Sequence, residues 1–363
     1  MILCKGSFRT LLLYDVADEI DLDRLRSLLG AEPPSRSPGF RQPAPQYVRF
    51  ERPPVVARCG QVQLNGGENA EVRLQYFDYG VVSVEFERPF EGGWDELIAL
   101  SNRWINAPDI EQQALALARR HIEPLQPALH KPYPQWLDET YHVVHLREVR
   151  DDAGKALPAS ALVAQHGREI GQVIRGESLP LAEAEQREVL SSSMSYYPSD
   201  LLVVGWLAAL IYDTPEGADP IIQLLEYANA QLLEYRRYDD TLTRLLSGAY
   251  DALERRGSFF SRWGLAREAA QLNRLRLEVI ELTERTDNAI KFLSDMFYAR
   301  AYRLAAAKVG ANDYRNLVDQ KLRTANELYQ FMVSEFRDTR YFALEVMVVI
   351  ILIIEIIPIF RAL

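Results

Sequence analysis

Twenty consecutive residues near the C-terminus, Tyr341 to Phe360, read YFALEVMVVIILIIEIIPIF. At 1.5 Å per residue a helix of this length spans about 30 Å, one hydrocarbon core, so no other feature constrains the fold as strongly. Fifteen of its positions are Ile, Leu, Val, Met or Phe. Each contributes about -0.3 to -0.6 kcal/mol on insertion, against roughly +2.5 to +3.5 kcal/mol for an acidic residue at the centre. Glu345 and Glu355 therefore bring the sum to near neutral or modestly favourable. Glu345 lies at one boundary and reaches the headgroups, whereas Glu355 lies about 7 Å from the midpoint and needs a proton or a partner. Either it faces a second copy of the helix or a polar cavity, and so sets an oligomer, or it stays protonated and solitary. Apolar residues surround the helix too uniformly for a one-sided soluble core stripe. Arg337 and Arg340 precede the run and only Arg361 follows it, which places the bulk of the chain in the cytoplasm. The expectation is a tail-anchored, single-pass protein of the cytoplasmic (inner) membrane, with Glu345, Glu355, Arg337 and Arg340 as its membrane and oligomer contacts.

Composition agrees with a globular body ahead of this tail. The chain has 363 residues, 48% hydrophobic and 25% charged, with a formal net charge of -10, and it shows no basic block, so direct DNA binding is not expected. Cys4 and Cys59 stand far apart, which suits two free thiols better than a disulfide framework or a zinc site. The N-terminal MILCKGSFRTLLLYDVADE is interrupted by Lys5, Arg9 and Asp15 and reads as a first strand, not a signal peptide.

In the first third, strand and turn signals alternate. RTLLLYDV reads as a strand, DLDRLRSLLG as a short helix ended by Gly30, and Pro33 to Pro54 as an extended loop. VARCGQVQL and AEVRLQYF flank Asn65-Gly66-Gly67, a hairpin turn, and VVSVEFERP after Asp78-Tyr79-Gly80 extends the meander. Helices follow from Trp94 to about Ala107 and over ALALARRHIEPL. Then come a strand at YHVVHLREV, an amphipathic helix at SALVAQHGREIGQVI, and a strand pair turning at Pro198-Ser199-Asp200. The irregular alternation favours an α+β fold with a mainly antiparallel sheet.

From Pro215 the pattern becomes long helices. Leu225, Ala228, Leu232, Tyr235, Leu242, Leu246, Ala249 and Leu253 form a heptad seam in which Asp239 is the polar member. A second seam runs from Leu272 to Met296 and a third from Val318 to Phe336. These predict long antiparallel, coiled-coil-like helices, with domains at 1–214 (α+β), 215–340 (long helices) and 341–360 (one C-terminal transmembrane helix).

No phosphate loop, dinucleotide fingerprint, nucleophile elbow or HExxH motif occurs. His142 and His145 form the close histidine pair, but an offset of three on a strand places them on opposite faces. Asp151-Asp152 and Asp239-Asp240 read as exposed turn or helix charge, and Glu226, Glu234 and Arg236-Arg237 as a solvated helix face. No catalytic residue, cofactor site or metal site is expected.

FDYGVVSVEF (Phe77 to Phe86), SYYPSDLLVVGWLAALIYD (Ser195 to Asp213) and RYFALEVMVVIILIIEIIPIF resemble the "required for meiotic nuclear division" family, also called the sporulation or YagE-like family of unknown function. Tyr79, Gly80, Tyr197 and Trp206 hold the matched motif positions. Gly80 is expected in a tight turn and Trp206 in the core. The resemblance implies a membrane-anchored, non-enzymatic protein. Its eukaryotic members are mitochondrial, the animal member supporting mitochondrial translation, but this chain shows no transit peptide and fits a bacterial-type member better. The functional expectation is thus a homo-oligomeric membrane scaffold. Its partners would be further copies of itself, the lipid bilayer, and a protein or ribonucleoprotein facing the α+β domain. A homo-oligomeric ion-conducting or transport protein using the C-terminal helix is the alternative.

Overall fold

The computed structural model describes residues 2–30, 54–64, 67–254, 270–271, 273–277, 279–281 and 296–361, with side chains described throughout these except at 252–254, 332–333, 335–346 and 352–361. The Pro33–Pro54 stretch, apart from Pro54, and most of the second heptad seam lie outside these residues. The chain divides into two units, residues 1–235 with 286–313 and residues 236–285 with 314–363.

In the first unit β1 (Leu3–Ile20) is the central strand of an eight-stranded sheet. The others are β2 (Val55–Gln63), β3 (Asn69–Tyr76), β4 (Val81–Gly92), β5 (Leu129–Arg150), β6 (Ser193–Met194), β7 (Leu201–Val204) and β8 (Ala208–Tyr212). Their order is β2-β3-β4-β1-β5-β8-β7-β6, and every pairing is antiparallel except β5 with β8. The expected hairpin and meander are therefore present, and the sheet is mainly antiparallel as the sequence indicates. The turn expected at Pro198-Ser199-Asp200 lies between β6 and β7; the main hairpin, β7 with β8, turns later, at Gly205-Trp206-Leu207.

Helices α1 (Leu22–Leu29), α2 (Trp94–Ile105), α3 (Pro108–Ile122), α4 (Ala159–Arg175) and α5 (Glu183–Ser191) complete the sheet's first covering. Asp21 caps α1 by accepting from the Asp23 and Arg24 amides at 3.1 and 3.0 Å, and Gly30 ends it in the left-handed region. One sheet face is apolar: Phe8, Leu12, Val84, Phe86, Val144 and Leu210 pack with Trp104 and Ile170 into the main core. Strand alternation sends the intervening residues to the other face, across which α6 (Pro215–Glu254) begins and to which α7 (Met296–Lys308) contributes buried Phe297, Tyr298 and Tyr302.

In the second unit α6 and α8 (Ala311–Arg361) run in the same direction, Asp239 facing Lys321 at 2.5 Å and Leu246 packing with Ala325. The helical residues 273–277 and 279–281 run the other way: Arg276 donates to Asn326 at 3.3 Å, while Asn273 lines a small groove with Tyr329 and Gln330. An up-down-up order of three seams requires this arrangement. The polar seam position, Asp239, is thus ion-paired inside the bundle.

The expected transmembrane helix is not found. Among the described residues no helix is long and apolar enough to cross a membrane. Tyr341–Phe360 is instead the end of the 51-residue α8, whose described side chains from Met347 to Ile351 are half-exposed. The two glutamates had already left little net drive for insertion. The fold is therefore an α+β unit with a helical arm, and the tail anchor, with the transport reading built on it, is withdrawn.

Candidate functional site

On β3 the residues pointing away from the main core are Glu71, Arg73 and Gln75; on β4 they are Ser83, Glu85 and Glu87; on β1, Ser7 and Arg9; and on β5, His145. The register sets Arg73 opposite Glu85 and Arg9 opposite Glu87, while Glu71 faces Glu87. Arg9 donates to Glu85 at 3.1 Å and lies 3.0 Å from Glu87, and Arg73 pairs with the other oxygen of Glu85. Glu85 is 3% exposed, so its two guanidinium partners compensate a charge that burial alone would make expensive.

Helix α6 closes over this ladder. Asp219, one turn in, lies 4.0 Å from Arg9, and two turns further Glu226 accepts from the Gln75 amide at 2.9 Å. Glu226 is 1% exposed. Burial, then the nearby Glu85 carboxylate, raises its carboxyl to about 7, against which Arg73, Ser83 and Arg9 act. Burial opposes the charge on Arg73, but Glu85 and Glu226 hold its guanidinium above the ordinary range. The next turns of α6 continue the polar contact: the Tyr302 hydroxyl of α7 donates to Gln231, and Tyr227 sits between the rings of Tyr79 and Tyr302. The reading of Glu226 and Glu234 as a solvated face is thereby corrected: Glu234 is also buried, 6% exposed. A helix face rich in Glu is buried here because the sheet beneath it carries Arg and Gln at matching positions.

The histidines separate as their spacing requires. His142 faces the main core, its Nδ1 3.0 Å from the Thr10 hydroxyl, and burial lowers it to about 3. His145 faces α6. Burial lowers it too, and its Nε2 donates to the Asp213 carbonyl at 3.0 Å, which fixes the tautomer and leaves Nδ1 as an acceptor. Beside it opens a cleft of about 270 Å³ lined by Ser7, Arg9, Asn69, Glu71, Glu87, Arg147 and neighbouring residues, with Pro215 of α6 at its edge. Both thiols are free, and burial pushes Cys4 up to about 12; neither joins the site. Among the described residues no group of three or more His, Cys, Asp or Glu side chains could hold a metal ion.

The motif residues fall at turns around this framework. Gly80 has φ 90°, and a Cβ there would lie 1.8 Å from the Ala17 carbonyl oxygen, so its turn demands glycine. Tyr79 stacks on Phe77 at 5.3 Å. The amides of Tyr196 and Tyr197 donate to buried Asp200 at 2.7 and 3.0 Å. Trp206 is not a core residue: it is 66% exposed at the tip of the β7–β8 turn, where Gly205 and Ala208 close the hairpin at 2.8 Å and leave it no interior to enter. The side chains of Arg337, Arg340, Glu345 and Glu355 lie outside the described residues. Tyr79, Gly80, Tyr197 and Trp206 lie outside the ladder, although the motif Phe77 to Phe86 also carries its Ser83 and Glu85. Arg9, Arg73 and Gln75 were legible only as polar alternation on half-buried strands, Glu85 also as part of the Phe77 to Phe86 motif, and the signal that could have joined them was Arg73 opposed to Glu85 in the register of β3 and β4.

Fold and site define a class: an α+β module with a mainly antiparallel sheet, one face of which is salt-bridged and closed by a long helix. The chain belongs to the family described as "Uncharacterized protein MJ0711, N-terminal domain", whose model matches residues 5–219. It is 20% identical over 186 residues to the "Uncharacterized protein MJ0711" of Methanocaldococcus jannaschii, covering 51% of this chain and 57% of that protein. The chain thus spans little more than half the length of the curated relative it matches. No solved structure matches it. These matches support a family of unknown function and do not support the meiotic nuclear division name, which is corrected accordingly.

Proposed function

We propose that the chain is a non-enzymatic, self-assembling scaffold in which the helical arm joins copies and the α+β unit meets a protein partner. The observation that carries this reading is the run Met347, Val348, Val349, Ile350 and Ile351, each 48–53% exposed on α8. Five successive residues at about 100° apart cover the whole circumference of a helix. Burying them therefore takes cover on several sides, which further copies of α8 supply as a bundle. A non-catalytic role is favoured because the acids and bases of the ladder answer one another: Arg9, Arg73, Glu85 and Gln75 are engaged in holding α6 on the sheet. Exposed Trp206 and Leu207 at the β7–β8 turn offer the α+β unit an aromatic anchor of the kind protein interfaces favour.

Sedimentation equilibrium of the full chain in detergent-free buffer tests the assembly. A species of more than one copy is expected, reverting to a single copy when Val349 and Ile350 are both replaced by Asp. A full chain that stays a single copy at micromolar concentration, or that is held only by lipid vesicles, contradicts the proposal.

A further inference from the structure

We infer that the cleft beside the start of α6 binds a short, extended, zwitterionic ligand with the chemistry of a tripeptide, its carboxylate over β5 and its amine over β3. The cleft crosses five strands in the order β5, β1, β4, β3 and β2. Ser7 and Arg9 form its floor with His145, which is 2% exposed.

Most of the charge here is satisfied internally, since Arg9 pairs with Glu85 and Glu87. Two charges are not. Among the described residues, Arg147 at one end and Glu71 at the other have no ion-pair or hydrogen-bond partner, and they are of opposite sign. Their strands are three steps apart, about 14 Å at the usual strand spacing. By the register Arg147 lies beside Gly6 whereas Glu71 lies, through Glu87, in line with Arg9, about 12 Å further along, which puts the two backbones about 18 Å apart. Three extended residues span about 10 Å, and a contact of about 3 Å at each end brings this to about 16 Å, the remainder being covered by the two side chains.

Arg147 reaches the cleft through an irregularity. Lys5 pairs with Glu148 and Gly6 with Leu146, so Arg147 is the extra residue of a β-bulge. Bulges re-aim side chains and recur beside binding sites. A second bulge, between Arg58 and Gly60, lies on β2, two residues before Gln61, which lines the cleft's far wall. The start of α6 at Pro215 adds the positive end of a 40-residue helix on the carboxylate side. The cleft also offers hydrogen-bonding groups: His145 Nδ1 as an acceptor, the Ser7 hydroxyl, and the side-chain amides of Asn69 and Gln61. A simple anion would leave Glu71 facing it unneutralised, and a simple cation would meet Arg147.

The test is calorimetric titration of the full-length chain with trialanine, and with N-acetyl-trialanine amide, whose ends carry no charge. Trialanine is expected to give saturable heat, weakened about tenfold or more in Arg147→Ala and in Glu71→Gln, and the blocked peptide to bind correspondingly worse. Both substitutions are at exposed positions without internal partners, and an unchanged melting temperature for each variant confirms that folding is intact. No saturable heat up to about 10 mM, equal affinity in the variants, or equal binding of the blocked peptide overturns the inference. None of these outcomes bears on the assembly state, so this site and the scaffold reading succeed or fail separately.

Discussion

Glu226 is held in the fold with its carboxyl raised to about 7 from an ordinary 4.5. Between those values the folded chain keeps a proton that the unfolded chain releases, so this group's contribution to stability is complete below pH 4.5 and is lost as pH rises through about 7. Comparing urea denaturation at pH 5 and pH 8, wild type is expected to lose on the order of 3 kcal/mol more than Glu226→Gln, whose side chain still accepts from Gln75 but does not titrate. Parallel pH profiles for the two proteins would refute the buried position. Glu85 behaves differently, because two guanidinium groups depend on it: Glu85→Ala is expected to cost about 3–5 kcal/mol, read from the same denaturation midpoints. Gly80→Ala, forced into φ 90° against the Ala17 carbonyl, should destabilise by more than about 2 kcal/mol. At this scale the sequence was legible unevenly. Gly80 announced a turn through its Asp-Tyr-Gly setting. Glu226 looked like any exposed helix glutamate, because what buries it is contributed by β3 and β4, some 140 to 150 positions earlier in the sequence.

Among the elements, the strands and the short helices followed local rules. Period-two alternation marked β3 and β4, Asp21 and Gly30 bracketed α1, and the hairpin and meander formed where turn residues stood. The turn at Pro198-Ser199-Asp200 joins the paired β6 and β7 and closes on Asp200, but the second turn, at Gly205-Trp206-Leu207, was missed because its turn chemistry is weaker, although it carries the longer pairing. The heptad seams held in α6 and α8, where Leu246 and Ala325 meet and Lys321 answers Asp239. If those contacts hold the arm together, Leu246→Asp is expected to strip amide-exchange protection from residues 239–251 while β1, β4 and β5 keep theirs. Uniform loss throughout the chain would show instead that arm and sheet unfold as one.

For the whole molecule, the sequence conveyed a mainly antiparallel α+β body with long helices after it, and both are present. It could not distinguish an apolar helix end that enters lipid from one that packs on protein, since both are read from the same residues and differ only in what surrounds them. The five half-exposed residues from Met347 to Ile351 carry the proposal that copies of α8 cover one another. Oxidative cross-linking of Val349→Cys in a background lacking the half-buried Cys59 tests it most directly. Covalently linked copies are expected on a non-reducing gel, formed at micromolar concentration and absent when the cysteine is placed at Arg24 instead. A Val349→Cys protein that remains a single chain under conditions that fully oxidise a free thiol would contradict it.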